Sequence, residues 1–338
     1  MEELRDPRKT FGEALVEAAE KNKVTLGFEA SVGGGIPIIK SLKEGLVANK
    51  IVSMIGILNG TANYILTQMT DHGTPFAEVL RDAQDQGFAE ADPTYDIEGI
   101  DTAHKLVILL TIAYGLHVSL DDIGTEGISQ IEPIDISFAR EFGYRIKLLA
   151  ISRNHGDNVE ARVHPTMVPE KHLLANINGA FNALHITGDT VGDILLYGLG
   201  AGMMPTGSAV IADVVDIARN IMIGATNRVP CLSYLPEYIS SRQITPIKDL
   251  RFPYYFRVTA LDKPGVLSTI AGILAKHDIS IESVIQKSRR QNGAVPIIMR
   301  THEAEEAAVL KALAEIDALD MCAGKTVKIR ILKDSEVD

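Results

Sequence analysis

Tyr254-Tyr-Phe-Arg-Val-Thr-Ala-Leu-Asp-Lys-Pro-Gly265 runs an aromatic and β-branched segment into a Pro-Gly corner, the pattern of a strand that turns sharply into a helix. Working outward from it, the periodicity predicts strand 254–260, helix 265–277, strand 279–287, strand 294–301, helix 303–317 and strand 325–332. That order is βαββαβ. Asn292-Gly293 separates the two middle strands, and both residues accept the positive φ of a type I′ hairpin turn. The expected unit is a ferredoxin-like domain spanning residues 252–338.

Upstream, residues 225–251 lack strong periodicity and contain Pro230, Pro236 and Pro246, which reads as a connector between domains. Before it, segments 145–153 and 159–168 alternate across an Asn154-His-Gly-Asp-Asn158 turn, and segments 181–187 and 190–198 flank Gly188-Asp189. Both read as antiparallel pairs. A helix from about 207 to 219 places Val210, Ile211, Val214 and Ile217 at core spacing. Nearer the start, helix 11–22 carries Phe11, Leu15, Ala18 and Ala19 on one face, and 24–29 reads as a strand. Gly33-Gly34-Gly35 follows, with Pro37 opening a helix through Leu46. Residues 51–58 are β-rich, Asn59-Gly60-Thr61 marks a turn, a helix then runs toward Thr70, and two more helices lie near 75–86 and 99–114. The predicted class is α+β: an N-terminal α/β remnant (1–28), a middle region with an antiparallel-rich sheet (29–240), and the βαββαβ unit.

Of the 338 residues 46% are hydrophobic and 23% charged, enough to bury a substantial core. The net charge of -11 argues against nucleic acid and anionic membranes, which attract basic surfaces. Cys231 and Cys322 lack CxxC spacing, which fits reduced, buried thiols in the cytoplasm. Met1–Thr10 is charged and lacks the apolar core of a signal peptide. The longest apolar stretch, Leu106–Tyr114, falls well short of the roughly 20 residues that span a bilayer.

Chemistry concentrates in Gln86-Gly-Phe-Ala-Glu-Ala-Asp-Pro-Thr-Tyr-Asp-Ile-Glu-Gly-Ile-Asp-Thr-Ala-His-Lys-Leu106. Asp101 and Lys105 are four apart on the predicted helix and head a stripe continuing through Ile108, Leu109 and Ile112. One reading is a surface ion pair worth about 0.3–0.5 kcal/mol. The other is a partly buried pair whose lysine has a tuned proton affinity, suited to proton transfer.

Four segments together resemble homoserine dehydrogenase: Phe28-Glu-Ala-Ser-Val-Gly-Gly-Gly-Ile-Pro-Ile-Ile39, Gly56-Ile-Leu-Asn-Gly-Thr-Ala-Asn-Tyr-Ile-Leu66, the 87–105 stretch, and Gly198-Leu-Gly-Ala-Gly-Met-Met-Pro-Thr206. Coverage runs from about residue 11 to 240. The resemblance implies NAD(P)-dependent interconversion of L-homoserine and L-aspartate 4-semialdehyde, in the biosynthesis of threonine, methionine and isoleucine. It implies Lys105 as the acid/base lysine, Glu90, Asp96, Asp101 and Thr61 around the substrate, and Gly87, Glu90 and Gly202 against the cofactor. It also implies a monovalent cation, usually sodium, held by Glu29 and the backbone oxygens of Val32, Gly34 and Ile36. The residues alone leave open that Gly33–Gly35 merely permit a tight turn.

The pattern departs from that family at its start. A dinucleotide fold needs a strand, a Gly-x-Gly-x-x-Gly turn and a helix N-terminus, and no such unit precedes residue 11. Gly198-x-Gly200-x-Gly202 has the wrong spacing for one, and Arg5, Arg8 and Lys9 do not reproduce the family's cofactor-side lysine. The expectation is an N-terminally truncated enzyme that binds NAD(P) weakly and shows little hydride transfer. The alternative is a catalytically inactive amino-acid-binding regulatory protein. The residues that select NAD or NADP would lie in the missing segment. The C-terminal unit resembles an ACT domain, which implies threonine feedback at Asp262, Pro264 and Gly265 and a homo-oligomer; a plain ferredoxin-like domain has the same topology.

Overall fold

The computed structural model describes residues 11–287 and 293–333. Arg5, Arg8, Lys9 and Asn292, invoked above, lie outside the described residues.

Helix α1 (Phe11–Lys21) leads into an irregular extended run, a 3-10 turn at Glu29–Ser31, and α2 (Ile38–Lys40), which continues as a π-helical turn over Ser41–Gly45. Then follow β1 (Ile51–Ile57), α3 (Gly60–His72), α4 (Phe76–Asp85), α5 (Thr94–Ile97), α6 (Ile100–Tyr114), β2 (Gly124–Thr125) and α7 (Pro133–Glu141). The hairpins are β3 (Tyr144–Asn154) with β4 (Val159–Pro169), and β5 (Phe181–Gly188) with β6 (Gly192–Leu199), before α8 (Met203–Met222). The remainder is β7 (Arg251–Phe252), β8 (Tyr254–Leu261), α9 (Val266–Lys276), β9 (Ile281–Ile285), β10 (Ala294–Thr301), β11 (Ala304–Glu305), α10 (Glu306–Asp317) and β12 (Val327–Ile331).

Among the described residues, one sheet runs in the order β6-β5-β1-β3-β4-β12-β8-β10-β9, with β2 also on β4. Thus the βαββαβ unit, formed as its periodicity predicts, does not stand apart. Its last strand pairs antiparallel with β8 and parallel with β4, at Arg330↔Thr166 and Ile331↔Met167. Helices α3, α6 and α7 cover the main core, where Met54, Leu58, Ile65, Leu109 and Val163 are fully buried, each such side chain contributing about 1.5–3 kcal/mol of hydrophobic stabilisation.

Charged side chains stitch the seam. Arg330 Nη1 and Nη2 donate to Glu126 at 2.9 and 2.7 Å, and Arg330 Nε and Nη2 donate to Glu306 at 2.8 and 2.7 Å. Lys328 also bonds Glu306, and the Tyr254 hydroxyl donates to it at 2.7 Å. Burial pushes the Glu306 carboxyl up, but Arg330 and Lys328 outweigh it and hold it below the usual range. Alongside, buried Asp135 on α7 takes bonds from Arg257 and Tyr255 of β8.

Four expectations need correction. Residues 24–28 form no strand, because no neighbouring strand pairs with them. In α1, Ala14 and Ala19 are buried whereas Leu15 is exposed. In α8 the expected core residues Val210, Ile211 and Val214 are 47%, 60% and 55% exposed; spacing identifies an apolar face but not what covers it. Cys231 is buried as expected, but Cys322 is only half-buried. Among the described residues no helix is long and apolar enough to cross a membrane.

Candidate active site

The strand β1 ends at Ile57, and Asn59 caps the helix that follows: its backbone is extended (φ -125°) and its Oδ1 accepts from Ala62 N at 2.8 Å. Its Nδ2 reaches the other way, donating to Asp96 Oδ1 at 2.7 Å and Asp101 Oδ2 at 2.8 Å. Asp96 lies on the short α5 and Asp101 in the first turn of α6. Gly99 joins these helices at φ 78°, and a Cβ there would crowd Val163 at 3.1 Å.

One turn along α6, Lys105 Nζ donates to Asp101 Oδ2 at 2.6 Å and to the Leu58 carbonyl at 2.9 Å. The Lys105 side chain is 19% exposed and that of Asp101 30%, while Leu106, Leu109 and Ile112 below them are buried. The pair is thus neither a solvated surface contact nor a sealed core bridge. Among the described residues, Asp101 Oδ1 and Asp96 Oδ2 accept no hydrogen bond, leaving one oxygen of each acid for a ligand.

Thr61 Oγ1 donates to the Phe88 carbonyl at 2.9 Å, tying α3 to the loop that carries Glu90. Phe88 also stacks on Tyr64 with ring centroids 4.3 Å apart. The carbonyl of Glu90 accepts from Gln84, but its carboxylate is exposed and not bonded into the Lys105 cluster. Lys105 and Asp101 therefore meet directly and Asp96 joins them through the Asn59 amide, while Thr61 is tied to the loop that carries Glu90; the sequence reads Asn59 only as a turn.

Gly87 (φ 76°) and Gly202 (φ 114°) both leave approach room: a Cβ at Gly87 would meet nothing within 4 Å, and one at Gly202 would meet only the Pro205 ring, from 3.4 Å. Gly202 also precedes the N-terminus of the 20-residue α8, where backbone amides favour an anion. These features suit a dinucleotide. Gly200 serves packing instead, since a Cβ there would lie 2.1 Å from the Asn182 side chain.

On the other side of the glycine loop, the Glu29 carboxylate accepts from Ile39 N and Lys40 N, both at 2.8 Å, and its backbone N donates to Asp213 of α8 at 2.9 Å. Burial pushes Glu29 upward, with Asp213 adding and the two amides opposing. The Ile36 carbonyl accepts from Ile38 N at 2.7 Å, whereas those of Val32 and Gly34 are unengaged among the described residues. Such an all-oxygen set suits a hard cation, whose charge would offset the desolvation of Glu29. A groove lined by Phe28, Glu29, Lys40, Lys43 and Asp213 opens here; none of the Lys105 cluster lines it.

The sequence profile of homoserine dehydrogenase matches residues 37–215, and that of the ACT domain matches 254–319. The homoserine dehydrogenase of Neisseria gonorrhoeae is 46% identical over 317 residues, 94% of this chain and 73% of that protein. The chain belongs to the homoserine dehydrogenase family. It is an oxidoreductase of that family with a C-terminal ACT domain. The Pseudomonas aeruginosa homoserine dehydrogenase is also 46% identical, over 95% of this chain and 74% of its own length. The crystal structure of the Thiobacillus denitrificans homoserine dehydrogenase superposes with a TM-score of 0.88 at 48% identity, over 95% of this chain and 73% of that one. A hyperthermophilic archaeal homoserine dehydrogenase solved in complex with NADPH superposes at 0.53 and 26% identity, over 61% of this chain and 59% of its own. The chain spans about three quarters of the length of these relatives, 73% of the Neisseria protein and 74% of the Pseudomonas one.

Proposed function

We propose that the chain interconverts L-homoserine and L-aspartate 4-semialdehyde, with Lys105 moving the proton. The observation that carries this reading is the Lys105 ammonium, held by Asp101 and the Leu58 carbonyl and still partly accessible. The nicotinamide cofactor supplies or takes up the hydride when bound. As negative charge grows on the aldehyde oxygen, Lys105 gives that oxygen a proton, and in the reverse direction it takes the hydroxyl proton back. Asp101 holds the amine in place between these events. The unbonded oxygens of Asp96 and Asp101 suit the substrate's own ammonium group, and Glu90 and Thr61 complete its surroundings. Gly87, Glu90 and Gly202 would hold the cofactor, and Glu29 with the Val32, Gly34 and Ile36 carbonyls would hold sodium.

The domain division that accompanies this reading is a catalytic unit over 29–240 and a regulatory one over 252–338. L-Threonine is the proposed effector: Gly265 (φ 92°) turns the chain at the start of α9 beside exposed Asp262 and Pro264. The setting is cytoplasmic biosynthesis of threonine, methionine and isoleucine, in a homo-oligomer.

Homoserine-dependent reduction of NAD(P)+, followed at 340 nm, tests the reading. Lys105→Ala should lower kcat about 1000-fold while homoserine affinity by calorimetry stays within about threefold. Turnover within tenfold of the wild type in that variant would refute the role of Lys105. Threonine binding without any redox exchange would favour the amino-acid-binding regulatory protein.

A further inference from the structure

We infer that Asn59 is a positioning residue of this site, its amide fixing which oxygen of Asp96 and of Asp101 is presented to the ligand; this rests on the reading just given. The single Nδ2 group spends one hydrogen on Asp96 Oδ1 and the other on Asp101 Oδ2, at 2.7 and 2.8 Å. Two carboxylates on separate helices repel each other unless donors lie between them, and Asn59 supplies both donors from a third element. It is itself immobilised: only 6% exposed, it is held at Oδ1 by the amide of Ala62. Asp101 Oδ2 is the atom that also receives Lys105. Asn59 therefore reaches the proposed acid/base group through one intermediate atom, without touching it.

The remaining oxygens, Asp96 Oδ2 and Asp101 Oδ1, follow from this arrangement. If either carboxylate turned about its terminal torsion, which is broad and weakly restrained, the unbonded oxygen would change place and the Lys105 ammonium would lose its orientation. The asparagine amide is the group suited to prevent that, because an NH2 offers two donors in one plane while the carbonyl of the same side chain anchors it. Serine and aspartate both cap helices well but lack the paired donors. Aspartate would place a third carboxylate against the other two.

Asn59→Ser and Asn59→Asp thus separate capping from positioning. Asn59→Ser should melt close to the wild type, whereas Asn59→Asp, with a third carboxylate at a position only 6% exposed, should melt lower. L-Homoserine affinity, measured by calorimetry on the whole chain, should fall at least tenfold in Asn59→Ser and further in Asn59→Asp. Independently of substrate, the acetylation rate of Lys105 by an N-hydroxysuccinimide ester, read by peptide mass spectrometry against Lys50 as internal reference, should rise several-fold in Asn59→Ser as Asp101 loosens its hold. A rise in Lys105 reactivity in a protein that never binds homoserine would uphold the positioning role and overturn the substrate reading. Unchanged Lys105 reactivity in Asn59→Ser would reduce Asn59 to a helix cap and overturn this inference.

Discussion

Lys105 and Asp101 lie 2.6 Å apart with 19% and 30% of their side chains exposed, whereas Arg330 and Glu306 lie 2.7 Å apart with 2% and 1% exposed. The chemistry of the two pairs is similar and their bonding is not. Glu306 receives Lys328 and Arg330 on one oxygen and Tyr254 and Arg330 on the other, so both its oxygens are occupied. Asp101 receives two donors on one oxygen and none on the other among the described residues. A saturated pair has nothing to offer a ligand and serves as a fastener. A half-bonded one, at the edge of solvent, keeps the valence that recognition and proton transfer use.

The contrast is broken most severely at Arg330. Arg330→Met should cost about 3–5 kcal/mol of stability in urea denaturation, because Glu306 stays buried with its charge poorly compensated. The same change should leave homoserine affinity nearly untouched. In the opposite sense, Asp101→Asn should leave the urea midpoint within the range of a surface substitution yet lower kcat/KM about 100-fold, or about 2.7 kcal/mol. Equal stability losses in these two variants would erase the distinction between fastener and site.

Lys147 sharpens the comparison from a third direction, being buried with no carboxylate among its hydrogen-bond partners in the described residues, although Asp71 acts on it from farther off. Its ammonium donates to the Ile177 carbonyl at 2.5 Å and to Asn63 and Asn178. Burial pushes its pKa down to about 8, and Arg145 adds to the effect. Between there and the ordinary value of 10.5 the unfolded chain binds more protons, so this group makes stability rise with pH, by at most about 1.4 kcal/mol per pH unit. Below about pH 8 both states carry the proton and the contribution is flat. Thermal melts of Lys147→Met across pH 7.5–10 should lose that rise; an unaltered slope would show that Lys147 does not titrate there.

The sequence made the local parts of this picture legible. Periodicity located the βαββαβ unit and both hairpins, and the four-residue spacing of Asp101 and Lys105 placed them on one face of α6. What escaped depends on distant partners. Asn59 announces a helix start through its identity, but its bonds to Asp96 and Asp101 cross 37 and 42 residues, and no local pattern encodes them. Arg330, Glu306 and Glu126 likewise come from separate segments. Residues 24–28 have strand-like composition without a strand to pair with, and α8 has an apolar stripe whose cover spacing cannot name.

The position of β12 has a practical corollary for dissecting the molecule. The outer edge of β4 is shielded by β2 at Arg162 and Val163 and by β12 at Thr166 and Met167. Severing the chain in the 225–251 stretch would bare hydrogen-bonding groups on both fragments at once, a template for aggregation. The two parts are therefore better probed by point substitution than by separate expression, and a stiff ladder, not a flexible tether, is the medium through which either would feel a change in the other.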